Sequence, residues 1–170
     1  MTQQFLTPGQ PAPIFALKAI KSERLIGPQN NPGEVLGLIF HGRETVQAVE
    51  DIQTLVRPEF PQASQLTLAS VVDLSSVPRL MRRVIKPLLA QAIEDAYRRI
   101  PPEYDPADYV FLLPDWDGKV SKAYGVRNTD RVAAVVVIDS AGRITGSYQG
   151  PEPGPATLAL VRQAAGHSVA

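Results

Sequence analysis

The residue types that carry out most nucleophilic and redox chemistry in proteins are scarce in this chain. Its 170 residues include no cysteine, so thiol nucleophiles, disulfides and thiolate metal ligands are excluded. The two histidines, His41 and His167, are too few and too far apart in sequence for a histidine-rich metal site. Glycine loops of the kind that bind nucleotide phosphates are absent from the sequence. We therefore expect no cofactor.

His41, Glu44 and Thr45 form the one short segment that combines a base, a carboxylate and a hydroxyl. Such a trio can in principle form a proton relay. The same order is also typical of a strand end followed by the first turn of a helix, where acidic and hydroxyl side chains are favourable. We favour the structural interpretation and expect no catalysis at this segment.

An acidic run without an intervening cation extends from Glu103 to Asp117. It lacks the spacing of a known calcium loop, although carboxylate oxygens are the ligands that calcium prefers. Pairs such as Asp105-Pro106 and Asp117-Gly118 are typical of turns. The run is therefore interpreted as solvated turn residues rather than as a metal site.

A basic cluster is the best candidate for an interaction surface: Arg79, Arg82, Arg83 and Lys86. On a helix, residues four apart lie side by side, so these cations form two adjacent pairs. One interpretation is a solvated face neutralised by nearby acids, which we favour; the other is a docking site for an acidic partner, oriented by arginine forks. Trp116 is interpreted either as the edge of the core, which we favour, or as an anchor of this contact.

Four apolar runs predict the strands that must position these residues: Val35–Phe40, Leu66–Val72, Val110–Leu113 and Val132–Ile138. The runs are continuous rather than alternating, which is typical of strands covered on both faces, and helical patterns separate the first three. The pattern indicates an α/β fold. The first helix follows from apolar residues at helical spacing between Val46 and Val56, and Pro58 ends it.

The longest helical pattern runs from about Val77 to Ile100, with one regular apolar stripe. Ser75 and Ser76 are expected to cap its start, and Pro101-Pro102 ends it. Pro87 removes an internal hydrogen bond, so we expect a kink or a break there. Further on, Asp139–Gly142 predicts a hairpin turn, and a helix over about 156–165 follows.

Length and charge place the chain among ordinary globular proteins. The length fits a single domain over 1–170. Because 17 basic and 17 acidic side chains cancel, no global field attracts nucleic acid or membrane, and no apolar run reaches about 18 residues. We expect a cytoplasmic protein without nucleic-acid binding or membrane insertion.

The order of these elements resembles a thioredoxin fold, and two segments resemble the redoxin branch that includes the peroxiredoxins. Gly9–Leu17 is similar to the G-x-x-A-P-x-F-x-L opening of that family, and Val136–Ile144 is similar to its strand, aspartate, turn and return strand. The resemblance implies a three-layer α/β/α sandwich with a mixed central sheet. The segment of about 75–108 exceeds the plain thioredoxin fold and is predicted to be an enlarged helical insertion.

The resemblance also implies where an active site would lie. Thr45 and Ala48 occupy the positions of a C-x-x-C pair, and in the peroxiredoxin pattern Thr45 matches the threonine while Ala48 replaces the peroxidatic thiol. The position of the thioredoxin cis-proline falls at Ala133 or Ala134. An alanine methyl cannot attack a peroxide or a disulfide. We therefore expect no thiol peroxidase or disulfide reductase activity.

Two hypotheses about function remain open at this point. In the first, which we favour, the chain is a non-catalytic thioredoxin-like scaffold that binds a protein partner, as an assembly factor or a complex subunit. A homodimer is possible within this hypothesis. In the second, the chain is a divergent enzyme or binds a small molecule, such as a thiol peptide, in the groove near His41 and Ala133.

Overall fold

The structure is a computed structural model that describes residues 5–31 and 33–167, except for the side chain of residue 167. Seven strands occur in chain order: β1 (Leu17–Lys18), β2 (Leu25–Ile26), β3 (Val35–Phe40), β4 (Leu66–Asp73), β5 (Phe111–Asp115), β6 (Ala134–Ile138) and β7 (Ile144–Gln149). The helices are α1 (Gln47–Val56), α2 (Arg82–Arg99), α3 (Lys119–Ala123) and α4 (Pro153–His167). Short 3₁₀ turns precede α2 and β5, at Arg79–Met81 and Pro106–Asp108.

The central sheet has five strands in the order β5-β4-β3-β6-β7. β3 pairs in parallel with β4, and β4 pairs in parallel with β5. β6 is antiparallel to β3 and β7 is antiparallel to β6. The sheet is therefore mixed, and the predicted α/β class is confirmed, as are the four apolar runs as strands of this sheet.

Both faces of the sheet are covered, which explains the continuous apolar character of β3 and β6. On one face, Ile52 and Val56 of α1 and Val161 of α4 pack on the strands. On the other face, the β1–β2 hairpin and Tyr124, which follows α3, close the core. The three layers put the end of β3 and the start of α1 at one end of the sheet.

The start of α2 differs from the sequence prediction. The α-helix begins at Arg82, after the 3₁₀ turn, and neither the turn nor the helix has a side-chain cap. Ser75 instead donates its backbone N–H to the Asp73 carboxylate, at 2.9 Å. The expectation that Ser75 and Ser76 cap this helix was wrong, because these residues belong to the turn that follows β4.

Pro87 lies inside one continuous helix rather than between two. The proline removes the hydrogen bond to the carbonyl of Arg83, and both residues are exposed. Water can reach that carbonyl, so the helix continues through the proline without a buried unpaired group. Of the two expected outcomes at Pro87, a kink or a break, the break was therefore wrong, and the kink stays a prediction.

The apolar stripe of α2 divides into two rows. Ile85 and Leu89 are half-buried and Ile93 is buried, so this row faces the protein. Leu80 of the preceding 3₁₀ turn and Val84 and Leu88 of α2 are 90%, 54% and 61% exposed, and they form a second row that points to solvent. Ion pairs tie the helix to its neighbours, from Arg99 to Glu50 of α1 and from Lys21 of the hairpin to Glu94.

Candidate functional site

The position that corresponds to a redox centre lies where β3 gives way to α1. Ala48 is the second residue of α1, and its methyl group is buried against the protein. Its backbone N–H donates to the carbonyl of Thr45, at 3.1 Å. The fold therefore delivers this position to a helix start, where a thiol would be activated, but an alanine is found there.

The Thr45 hydroxyl is fully engaged in holding the loop before α1. It accepts the backbone N–H of Gly42 at 2.9 Å and donates to the carbonyl of Thr129 at 2.5 Å. The loop packs closely at Gly42, where a Cβ atom would lie 1.7 Å from an Asp130 side-chain oxygen and would force that side chain to move. These contacts join the loop after β3 to the loop before β6. Thr45 is a structural residue in this arrangement, not an available nucleophile.

His41 does not form a relay with its neighbours in sequence. Its side chain is buried (6% exposed), and Nδ1 lies 3.0 Å from the carbonyl oxygen of Gly42, so Nδ1–H is the donor. Nε2 is buried and has no partner among the described residues. Burial lowers the pKa of His41, which keeps the imidazole neutral. Glu44 is exposed, and neither ring nitrogen of His41 is hydrogen-bonded to it in the structure as described.

Ala133 precedes β6 and is buried, as is Ala134 at the start of that strand. The groove near His41 and Ala133 therefore offers neither side chain to a ligand. In the part of the chain that the structure describes, no group of three or more histidine or acidic residues is placed to hold a metal ion.

The acidic run contains one residue whose environment the sequence did not reveal. Asp105 and Asp117 accept backbone N–H groups in exposed turns, as expected. Asp115 is instead fully buried at the end of β5, where its carboxylate accepts the N–H of Val120 and both the N–H and the hydroxyl of Ser121. The interpretation of Asp115 as solvated was wrong, because the carboxylate supports the start of α3.

The four cations of the basic cluster face in two directions. Arg82 donates from Nη2 to the carbonyl of Trp116 at 3.2 Å, and its guanidinium lies 5.2 Å from the indole ring. Lys86 Nζ lies 5.8 Å from the same ring. Both cations cover the half-buried Trp116, which fits the edge of the core rather than a free anchor.

Arg79 and Arg83 are exposed, and among residues 5–31 and 33–167 neither has an acidic partner within ion-pair distance. The favoured interpretation of a neutralised face thus does not describe these two residues. Arg79 precedes Leu80 in the 3₁₀ turn, and Arg83 precedes Val84 in the first turn of α2, so the two cations flank the row of Leu80, Val84 and Leu88. We call these five residues the α2 surface.

Comparison with known proteins identifies the fold and no family. No family model matches the chain, and no curated protein matches it. Among solved structures, it is similar to a thiol:disulfide interchange protein DsbE from Chlorobium tepidum (18% identity, covering 98% of this chain and all of that one, TM-score 0.60). It is also similar to the exposed lipoprotein thioredoxin Etrx1 from Streptococcus pneumoniae (16% identity, 89% and 99% covered, TM-score 0.62). BsSco, a member of the Sco family of cytochrome c oxidase assembly proteins, is a third (11% identity, 96% and 98% covered, TM-score 0.60).

None of the described helices combines the length and the apolar character that crossing a membrane requires. The cytoplasmic location stays a prediction.

Membership of the peroxiredoxin branch also stays a prediction, because identities of 11–18% are evidence for the fold alone. The chain has a thioredoxin-like fold without a cysteine.

Proposed function

We propose that this chain is a non-catalytic thioredoxin-like protein that binds a protein partner through the α2 surface. The observation that carries the proposal is the exposed apolar row of Leu80, Val84 and Leu88 beside Arg79 and Arg83, which have no acidic partner within the described part of the chain. A single exposed leucine is ordinary, but a row of exposed apolar side chains along the 3₁₀ turn and α2 is typical of contact surfaces.

The charges of this surface favour an acidic partner with an apolar patch of its own. Arginine forks can orient carboxylates on the partner, while the apolar row supplies the buried contact. A two-fold homodimer through the same row would bring Arg79 and Arg83 of both copies together, and like charges at an interface are unfavourable. We therefore propose a different protein, not a second copy, as the occupant.

The relation to the redoxin branch is also part of the proposal. The two segments that carry the resemblance lie against each other: Gly9 donates its N–H to the carbonyl of Ile144, and Ala12 donates to the carbonyl of Gly142. Gly9 has φ of +86°, a conformation that favours glycine. This packing supports a shared ancestry in which the thiol position became Ala48.

The experiment is affinity capture from the native host with wild type and two matched variants. Arg79→Glu/Arg83→Glu reverses two charges of the α2 surface. Lys122→Glu/Arg127→Glu reverses two exposed charges elsewhere and changes the net charge equally. We expect the first variant to lose an acidic partner that wild type and the second variant retain, with capture weakening as salt rises. Equal retention by all three proteins would contradict the proposal.

A further inference from the structure

A cavity of about 620 Å³ lies between α1, α2 and the β4–β5 edge of the sheet. This volume is within the range of small-molecule sites, roughly 300–1,000 Å³. Ile93 is the one fully buried side chain of α2, and residues of α1 and α2 line the opposite sides of the cavity. Its walls are mainly apolar and include Val49, Leu68, Ala96, Ile100, Val110 and Phe111.

Arg57, which follows the last residue of α1, brings a positive charge to this apolar wall. Nε donates to Gln53 Oε1 at 3.2 Å, and Nη1 donates to the carbonyls of Phe60 and Leu66 at 3.3 and 3.1 Å. The guanidinium lies 5.0 Å from the ring of Tyr109, which also lines the cavity. These three hydrogen bonds and one ring contact fix the position of the cation.

None of these contacts neutralises Arg57. Every acceptor is uncharged, and no carboxylate pairs with this residue in the described ranges. Nη2 is buried and has no hydrogen-bond partner among the residues that the structure describes. Burial lowers the pKa of Arg57 to about 10, so it remains a cation near neutral pH. A largely buried charge without a counter-charge is unfavourable, and a bound anion would offset that cost.

The other charged and polar groups that line the cavity do not carry an uncompensated charge. Arg99 at the same cavity is already paired with Glu50. Ser70, on β4, is buried and lines the cavity, so its hydroxyl is placed to assist a polar head group. The uncompensated charge is thus concentrated at Arg57, while most of the remaining wall is apolar.

We propose that this cavity binds a small amphipathic carboxylate, with its head group beside Arg57 and Ser70 and its apolar body against α1, α2 and the sheet. The proposal is independent of the α2 surface, because the residues of that surface do not line the cavity. The ligand must carry one negative charge and an apolar body in the same molecule. The charge would lie beside Arg57, and the apolar body would contact the apolar side chains of the wall.

The test is calorimetric titration with decanoate below its micelle concentration, with decanol as the uncharged probe of equal length. We expect saturable binding of decanoate by wild type, and about tenfold weaker binding of decanol. Arg57→Gln should weaken decanoate binding about tenfold, and Arg98→Gln, an exposed cation of α2 outside the cavity, should leave it unchanged.

A second variant keeps the test decisive if Arg57→Gln fails to fold. Ala96→Trp places an indole in the cavity from α2, and Ala96 is not a hydrogen-bond partner of Arg57, so this variant should strongly weaken decanoate binding. Three results would overturn the proposal: no saturable binding of decanoate by wild type, equal binding of decanol, or unaltered binding by Ala96→Trp.

Discussion

At the scale of single residues, the polar groups beside Ala48 are used to hold the backbone. The Thr45 hydroxyl links Gly42 to Thr129, and His41 is buried with Nδ1 on the carbonyl of Gly42. Each side chain thereby stabilises the loop that starts α1. The Thr45 hydroxyl is committed to two hydrogen bonds, and His41 Nε2, which has no partner among the described residues, is buried.

Burial of His41 makes the stability of the fold depend on pH in one direction. The pKa of His41 is lowered in the folded protein from an unfolded value near 6.5, so the unfolded chain binds the proton more readily. Stability is therefore fully present above about pH 6.5 and falls as the pH falls below it. We expect the loss to be at most about 1.4 kcal/mol per pH unit.

The measurement is urea unfolding at pH 7.5 and 5.5 for wild type, His41→Gln and His167→Gln. The difference between the two pH values should shrink in His41→Gln, because glutamine does not titrate. His167→Gln removes the only other histidine of the chain and should keep the wild-type difference. If the free energy of unfolding changed equally between the two pH values in wild type and in His41→Gln, His41 would not be the source of the pH dependence.

At the scale of elements, the five-residue helix α3 depends on a carboxylate that precedes it. Asp115 accepts three hydrogen bonds from Val120 and Ser121, and it is fully buried. A carboxylate is stronger than an amide as an acceptor for such donors. Asp115→Asn should lower the free energy of unfolding by about 2 kcal/mol or more.

Asp117 gives a matched comparison two residues away. Asp117 is exposed. Its carboxylate accepts the backbone N–H of Lys119 and forms an ion pair with the Lys119 ammonium group. Asp117→Asn should therefore change the free energy of unfolding little, since surface ion pairs are weak. Chemical denaturation of both variants checks this, and an equal loss in the two would show that burial of Asp115 is not the cause.

The helix α2 shows where a sequence pattern stops being informative. Its apolar periodicity predicted a helix, and a helix over Arg82–Arg99 is found. The pattern did not distinguish the row of Ile85, Leu89 and Ile93, which faces the protein, from the row of Leu80, Val84 and Leu88, which faces solvent. Periodicity reports which residues share a side of a helix, not whether another element covers that side.

At the scale of the whole molecule, the sequence was most informative about the sheet. β3 begins and ends at the predicted residues, because a strand covered on both faces needs a continuous apolar run. The sequence was less informative about the cavity and about the buried carboxylate. Arg57 and Ser70 meet at one cavity from different elements, and Asp115 lies in a turn-rich run that gave no sign of burial.

The whole-molecule account also predicts the absence of redox turnover. The chain folds like proteins described as thiol:disulfide interchange proteins, yet no residue supplies a thiolate. We expect neither peroxide consumption nor insulin disulfide reduction above the uncatalysed rate in a metal-free preparation. A commercial thioredoxin in the same assay is the positive control, and enzyme-dependent turnover by this chain would refute a non-catalytic role.

The most direct measurement of the central claim is the affinity of the captured partner for the purified protein and its charge variants. Arg79→Glu/Arg83→Glu should weaken binding by at least about tenfold, while Lys122→Glu/Arg127→Glu should bind like wild type. Unchanged melting temperatures would show that both variants are folded. Equal affinity of the two variants for the partner would contradict the assignment of the α2 surface as the binding site.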